Sequence, residues 1–205
     1  MLEVKNLECV RGSRRLFRDL SFSASPGELV ELRGANGSGK TSLLRIISGL
    51  ATPANGDVLW QKKPIRVLRE EYYALVAYLA HQNGLKDELT PTENVRISSG
   101  VAGQSLTDEE VHRVLASVGL KEQANIPTRA LSAGQRRRVG LARLLTSKAT
   151  VWLLDEVLTS LDETAMEMTR RFMTEHLRAQ GIVIVATHQD LKLQHERCRR
   201  LELTQ

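Results

Sequence analysis

No run of about 18 apolar residues, the length a membrane-crossing helix needs, occurs in this sequence of 205 residues. The apolar runs are short, such as Val151–Leu154 and Ile182–Ala186. In the opening Met-Leu-Glu-Val-Lys, Glu3 interrupts any signal-peptide pattern, so the expected location is the cytoplasm. Cysteine is nearly missing. Cys9 and Cys198 are far apart in sequence and read as free thiols, with no metal-ligand spacing around either. His81, His112, His176, His188 and His195 fall in no C-x-x-C-H context, which excludes a haem-attachment motif. No Lys/Arg block is long enough for a nucleic-acid tail. Basic residues are dispersed, apart from Arg136-Arg137-Arg138 and Arg197, Arg199 and Arg200. Internal repeats, low-complexity tracts, long linkers and heptad runs are all absent.

What is present is ordinary globular material, 41% hydrophobic and 26% charged, enough for one domain with a small inserted lobe. The net charge of +5 and pI near 9.5 suit nucleic acid, anionic lipid headgroups or an acidic protein partner, and equally a mildly basic solvated surface. Residues 2–10, 16–24 and 28–33 read as strands, the last two around a Pro26-Gly27 turn. Thr41 to Leu50 has helical spacing, Gly56 to Trp60 reads as a strand, and residues 74–80 read as a buried strand or a helical turn. From 85 to 147 the pattern is mostly helical, broken at Pro91, Gly100 and Gly103. Thr107 with Glu110 predicts a capped helix running to about Val118 and ending at Gly119. Strands at 151–155 and 182–186 flank a helix at about 163–180, a pattern of continuous apolar strands that predicts a parallel α/β core. Residues 85–147 then form a helical lobe inserted into a core of 1–84 and 148–205, all within one domain.

Residues 34–41, Gly-Ala-Asn-Gly-Ser-Gly-Lys-Thr, follow an apolar strand and open a helix, the context a G-x-x-x-x-G-K-T phosphate loop requires. Glycines let consecutive N–H groups turn inward toward phosphate oxygens, and the helix adds its positive end. Lys40 is expected at the β- and γ-phosphates, and Thr41 on Mg²⁺. Asp155 and Glu156 end the strand Val-Trp-Leu-Leu. Coming after a phosphate loop, they are expected to hold the metal (Asp155) and to polarise the attacking water as general base (Glu156). Leu131-Ser-Ala-Gly-Gln135 opens a helix read as Arg136 to Leu145, while Gln82 and His188 each follow an apolar strand, where a γ-phosphate sensor could sit.

Taken in order, the phosphate loop, Gln82, LSAGQ, the acidic strand, Ser160-Leu161-Asp162 and His188 resemble the ABC ATPase family along nearly the whole chain. That resemblance implies a P-loop NTPase (RecA-like) core with an N-terminal antiparallel β lobe and the inserted helical lobe. It implies a nucleotide site of Gly34, Ala35, Asn36, Gly37, Ser38, Gly39, Lys40, Thr41, Ser42 and Gln82, with Thr41, Gln82 and Asp155 on Mg²⁺. It further implies a head-to-tail homodimer in which Leu131, Ser132, Ala133, Gly134 and Gln135 of one copy complete the ATP site of the other. In that arrangement Glu156 is the base, His188 its partner at the γ-phosphate, and Asp162 lies at the dimer interface. The chain departs from the family pattern at Val157, where proline is usual, at Leu158, where a smaller polar residue is common, and at Val10 or Arg11, where an aromatic stacks on adenine. Arg11 can stack through its planar guanidinium, and Phe17 fits better in the core.

Within that family the absence of a coiled-coil insertion between Lys40 and Leu131, and the single nucleotide domain, point to a transporter subunit rather than a nucleic-acid ATPase. Leu85, Lys86, Leu89 and Glu93 are candidate docking residues for a membrane partner, and equally candidates for capping and packing the lobe. Gly56–Trp60, Tyr78–Thr90 and Glu93-Asn94-Val95 resemble the ATP-binding export proteins of cytochrome c biogenesis. This implies a peripheral subunit on the cytoplasmic face of a bacterial inner membrane. Its membrane partner would be of the CcmB type, with further cytochrome c maturation proteins and no nucleic acid. ATP hydrolysis would be linked to haem export or to release of a haem-loaded chaperone. The ATPase of another small ABC exporter is the alternative.

Overall fold

The computed structural model describes residues 1–193 and 195–203. Two sheets are built from strands β1 (Leu2–Arg11), β2 (Arg14–Ala24), β3 (Leu29–Arg33), β4 (Asn55–Trp60), β5 (Lys63–Pro64), β6 (Val76–Leu79), β7 (Val151–Asp155), β8 (Ile182–Ala186) and β9 (Cys198–Glu202). The first sheet is antiparallel in the order β2-β1-β4-β5, and the second is parallel in the order β6-β7-β8-β3-β9. The helices are α1 (Lys40–Ile47), α2 (Ile65–Leu68), α3 (Glu70–Tyr73), α4 (Pro91–Val101), α5 (Asp108–Ser117), α6 (Ala133–Thr146) and α7 (Glu163–Arg178).

Strand alternation divides the interior in two. Val151 and Leu153 of β7 and Ile182 and Ile184 of β8 face a core shared with α1 and the antiparallel sheet. Trp152 and Leu154, with Val183 and Val185, face the opposite core, shared with α7 and α4–α6. Because successive side chains on a strand point to opposite faces, a strand covered on both sides must be apolar throughout. All ten residues of β7 and β8 are buried.

The expected architecture holds: a parallel core, an N-terminal antiparallel sheet and helices α4–α6 inserted between β6 and β7. Boundaries shift locally. The first helix stops at Ile47 rather than Leu50, because Gly49 turns at φ 78°. The helix after LSAGQ starts at Ala133 rather than Arg136, with Ser132 as its cap. Residues 61–73, which carried no sequence assignment, form β5, α2 and α3. Strand β9 lies on a segment that reads in sequence only as a basic cluster.

Candidate functional site

All five parallel strands end on the same edge of their sheet, which is where open α/β sheets bind ligands. Running along the order β6-β7-β8-β3, that edge carries Gln82, Asp155-Glu156, His188 and the phosphate loop in turn. Residues separated by up to 154 positions therefore become neighbours.

The loop between β3 and α1 turns through Gly34, Gly37 and Gly39 at φ 139°, 79° and 104°, left-handed values that favour glycine. A Cβ on Gly39 would come within 3.0 Å of the Phe17 ring. Phe17 is buried beneath the loop, as a core residue, and does not line the cleft. Lys40 opens α1, and its Nζ donates to the carbonyls of Gly34 (2.7 Å) and Ala35 (3.1 Å). Burial lowers the Lys40 pKa, an effect partly offset by the charges of Glu156, Asp155 and Glu202.

Asp155 is 2% exposed at the end of β7, and Tyr78 Oη donates to its Oδ2 at 3.5 Å. Burial first, and the Asp155 charge second, push the Tyr78 hydroxyl up to about 12. Glu156 takes φ 51°, unusual for a residue with a side chain. Its N–H donates to the Ala186 carbonyl at 2.8 Å, turning its carboxylate toward His188, whose Nε2 lies 3.4 Å from Glu156 Oε1.

These groups share a cleft of about 660 Å³ that includes Lys40, Thr41, Asp155, Glu156 and His188. Arg11, Arg14 and Leu16 form its side wall. Val10 does not line it and is 45% exposed. A second cavity of about 530 Å³ adjoins it, with His81 and Glu156 common to both. Gln82 lines the second cavity and not the first, whereas His81 lines both. Ala133 also lines the second cavity. Leu131 is buried; Ser132, Gly134, Gln135 and Asp162 do not line the Lys40 cleft of their own chain. Ser132 Oγ accepts from Gln135 N at 3.1 Å, and Gln135 Oε1 accepts from Ser132 N at 2.9 Å. LSAGQ is thus a reciprocal cap on α6. Asp162 caps α7 through Ala165 N at 2.8 Å.

Sequence reasoning missed His81, Arg14 and Leu16, which no motif marks. It also counted Arg137 as part of a basic surface cluster. Arg137 is 3% exposed, and the helical spacing of Arg137 with Leu141 and Leu144, both buried, is the signal that places it inward. Glu93 accepts from Thr90 N at 2.8 Å and Thr90 Oγ1 at 2.9 Å, so its carboxylate is engaged in capping α4. Those bonds hold its pKa below the usual range.

A family model described as ABC transporter matches residues 17–159. The chain is 47% identical over 191 residues to the cytochrome c biogenesis ATP-binding export protein CcmA of Nitrosomonas europaea, covering 93% of this chain and 90% of that protein. It is 45% identical over 203 residues to the protein of the same name from Vibrio cholerae, covering 99% and 98%. Among solved structures, an ABC transporter ATP-binding protein from Pyrococcus furiosus superposes with TM-score 0.84 at 24% identity, covering 98% of this chain and 96% of that one. An ATP-binding cassette solved as a dimer in a post-hydrolysis state with ADP and Pi gives 0.82 at 24%, covering 99% and 95%. These two likenesses concern the fold.

Proposed function

This chain belongs to the ABC transporter family, and on that premise we propose that it is the ATP-hydrolysing subunit of a membrane assembly for cytochrome c biogenesis. Its place would be the cytoplasmic face of a bacterial inner membrane. The observation that carries the ATPase reading is the meeting of Lys40, Thr41, Asp155, Glu156 and His188 in one cleft. Identity of 47% and 45% to cytochrome c biogenesis proteins over nearly their whole length supports the pathway. No helix among the described residues is long and apolar enough to cross a membrane. A membrane partner of the CcmB type is part of the same proposal.

ATP is the substrate. Its β- and γ-phosphates would take the place of the Gly34 and Ala35 carbonyls at Lys40 Nζ, while loop N–H groups and the start of α1 supply further donors. Among the described residues no three His, Cys, Asp or Glu side chains cluster as a metal cage. The hard oxygen donors of Thr41 and Asp155, in the same cleft, fit Mg²⁺, which typically binds through few protein ligands plus phosphates and water. When bound there, Mg²⁺ would offset phosphate charge. Glu156 would accept the proton of the attacking water. His188, beside its carboxylate, would hold Glu156 and the γ-phosphate in register. Arg11 would cover the base. Ser132 and Gly134 of a second copy would close over the γ-phosphate, with Asp162 at the shared surface.

The test is a haem stain for c-type cytochromes in a strain lacking the gene, complemented with wild type or Glu156→Gln. Wild type is expected to restore cytochromes and Glu156→Gln to fail. Persistence of cytochromes without the gene would overturn the pathway and leave the ATPase assignment standing.

A further inference from the structure

Arg137 is buried on α6, five residues beyond the capping Ser132, and its guanidinium makes four hydrogen bonds in two directions. Nη2 donates to the Asp155 carbonyl at 2.6 Å and Nε to the Val157 carbonyl at 3.2 Å. Nη1 donates to the Ala80 carbonyl and to Asn83 Oδ1, both at 2.7 Å. The first pair of acceptors brackets Glu156. The second pair brackets His81 and Gln82.

Both bracketed segments need holding. Glu156 sits at φ 51°, a conformation that a residue with a side chain keeps where its surroundings fix it. Residues 80–84 have no regular structure, yet α6 grips them again downstream, where Arg143 Nη1 donates to the carbonyls of Asn83 (3.1 Å) and Gly84 (2.9 Å). Gly140 leaves the helix surface bare there, since a Cβ on it would lie 2.9 Å from Leu79 and 3.4 Å from Asn83 Oδ1. All four acceptors of Arg137 are neutral. Burial therefore lowers its pKa to about 10, against the opposing pull of Asp155, Glu156 and Tyr78, and it stays charged at neutral pH. A buried cation bonded to carbonyls at the ends of two strands favours one geometry, because moving either strand end would leave it unpaired.

We propose that Arg137 is a positioning residue for Glu156. It fixes the backbone on both sides of that carboxylate and ties it to the Gln82 segment, so that displacement of one segment is felt by the other. The inference rests on the reading of Glu156 as the base. A lysine cannot replace it, because a single ammonium lacks the planar fork that reaches both segments at once.

The experiment uses the full-length chain and the variants Arg137→Lys, Asn83→Ala and Glu156→Gln. It measures kcat, KM for ATP, equilibrium binding of a fluorescent ATP analogue, and melting midpoint. Arg137→Lys is expected to lower kcat by at least about 30-fold per nucleotide-binding molecule, with KM and analogue affinity within about threefold, the signature of an interaction used in the transition state. Asn83→Ala removes one bond on the Gln82 side and is expected to lower kcat by about 3- to 10-fold at an unchanged melting midpoint. This second variant decides the matter if Arg137→Lys does not fold. Unchanged kcat per binding-competent molecule in these variants, while Glu156→Gln is inactive, would overturn this inference alone. So would parallel loss of kcat and analogue affinity, which marks a merely structural arginine. Wild-type hydrolysis by Glu156→Gln would overturn the base assignment and this inference with it.

Discussion

Lys40 and His176 show how the same cause, burial, has different consequences. Lys40 already spends its hydrogen bonds on the Gly34 and Ala35 carbonyls, so phosphate gains by exchange. Charge-assisted hydrogen bonds contribute about 1.5–3 kcal/mol. Lys40→Ala is therefore expected to weaken ATP-analogue binding at least about tenfold, measured by fluorescence titration, with little change in melting midpoint. His176 stacks on Trp152 with ring centroids 3.9 Å apart, and its Nε2–H donates to the Thr150 carbonyl at 3.1 Å. Burial lowers its pKa below 6.5, outweighing its hydrogen bonds to Thr150 and Ile182. The unfolded chain then binds a proton at higher pH than the folded one. The stability from this residue is complete above about 6.5 and is lost as pH falls toward the folded value. The wild-type melting midpoint is expected to drop more between pH 7.5 and 5.5 than that of His176→Phe, and equal drops would refute this assignment. Phosphate-loop chemistry was legible in sequence because eight consecutive residues carry it. Arg137 was not, since the triplet Arg136–Arg138 looks like surface until the helical face is known.

At the scale of elements, capping explains what sequence spacing could read. Thr107 and Glu110 form a reciprocal cap on α5, as their spacing predicts. Thr107→Ala is expected to cost about 1 kcal/mol, or about 2–4 °C in melting midpoint for a chain of this size, with ATPase activity per molecule unchanged. Glu93 plays the same part at α4. Glu93→Lys should lower the melting midpoint similarly while Glu93→Gln preserves it, in a thermal melt. An equal effect of both would refute the capping role. The cap Ser132-Gln135 is half legible: the LSAGQ motif stands out in the sequence, but the helix read from Arg136 begins three residues earlier, at Ala133. Strand β9 was illegible for a different reason. At a sheet edge it offers the core only the half-buried Leu201, and it is held mainly by backbone pairing with β3 and by Arg199–Glu28 (3.2 Å) and Arg200–Glu31 (2.8 Å). Glu31 is 2% exposed between Arg33 and Arg200. Ion pairs across strands leave no periodicity to read.

On the proposed reading, the whole molecule would display one half of a composite site. The phosphate-loop cleft opens on one stretch of surface, while Ser132 and Gly134 lie elsewhere and do not line it. A second copy turned head to tail would bring them over ATP. Glu156→Gln with ATP is expected to elute as a dimer, and as a monomer with ADP, by size exclusion with light scattering. Adding Ser132→Arg should abolish the ATP dimer, and a dimer unaffected by that change would refute the composite site. The parallel core is legible from apolar strands alone and the antiparallel sheet from the family resemblance, whereas the strand order β6-β7-β8-β3-β9 is not, because periodicity says nothing of which strands are neighbours. That order has a temporal consequence. β3 is hydrogen-bonded to β9, and Leu203 N donates to the Arg33 carbonyl at 2.9 Å, immediately before the phosphate loop. On the ribosome the loop is made early, but its supporting edge strand comes some 165 residues later. The growing chain would therefore lack the strand beside its phosphate loop until residues 198–203 had been made and had left the exit tunnel, and stabilisation of the fold by nucleotide would come after that pairing.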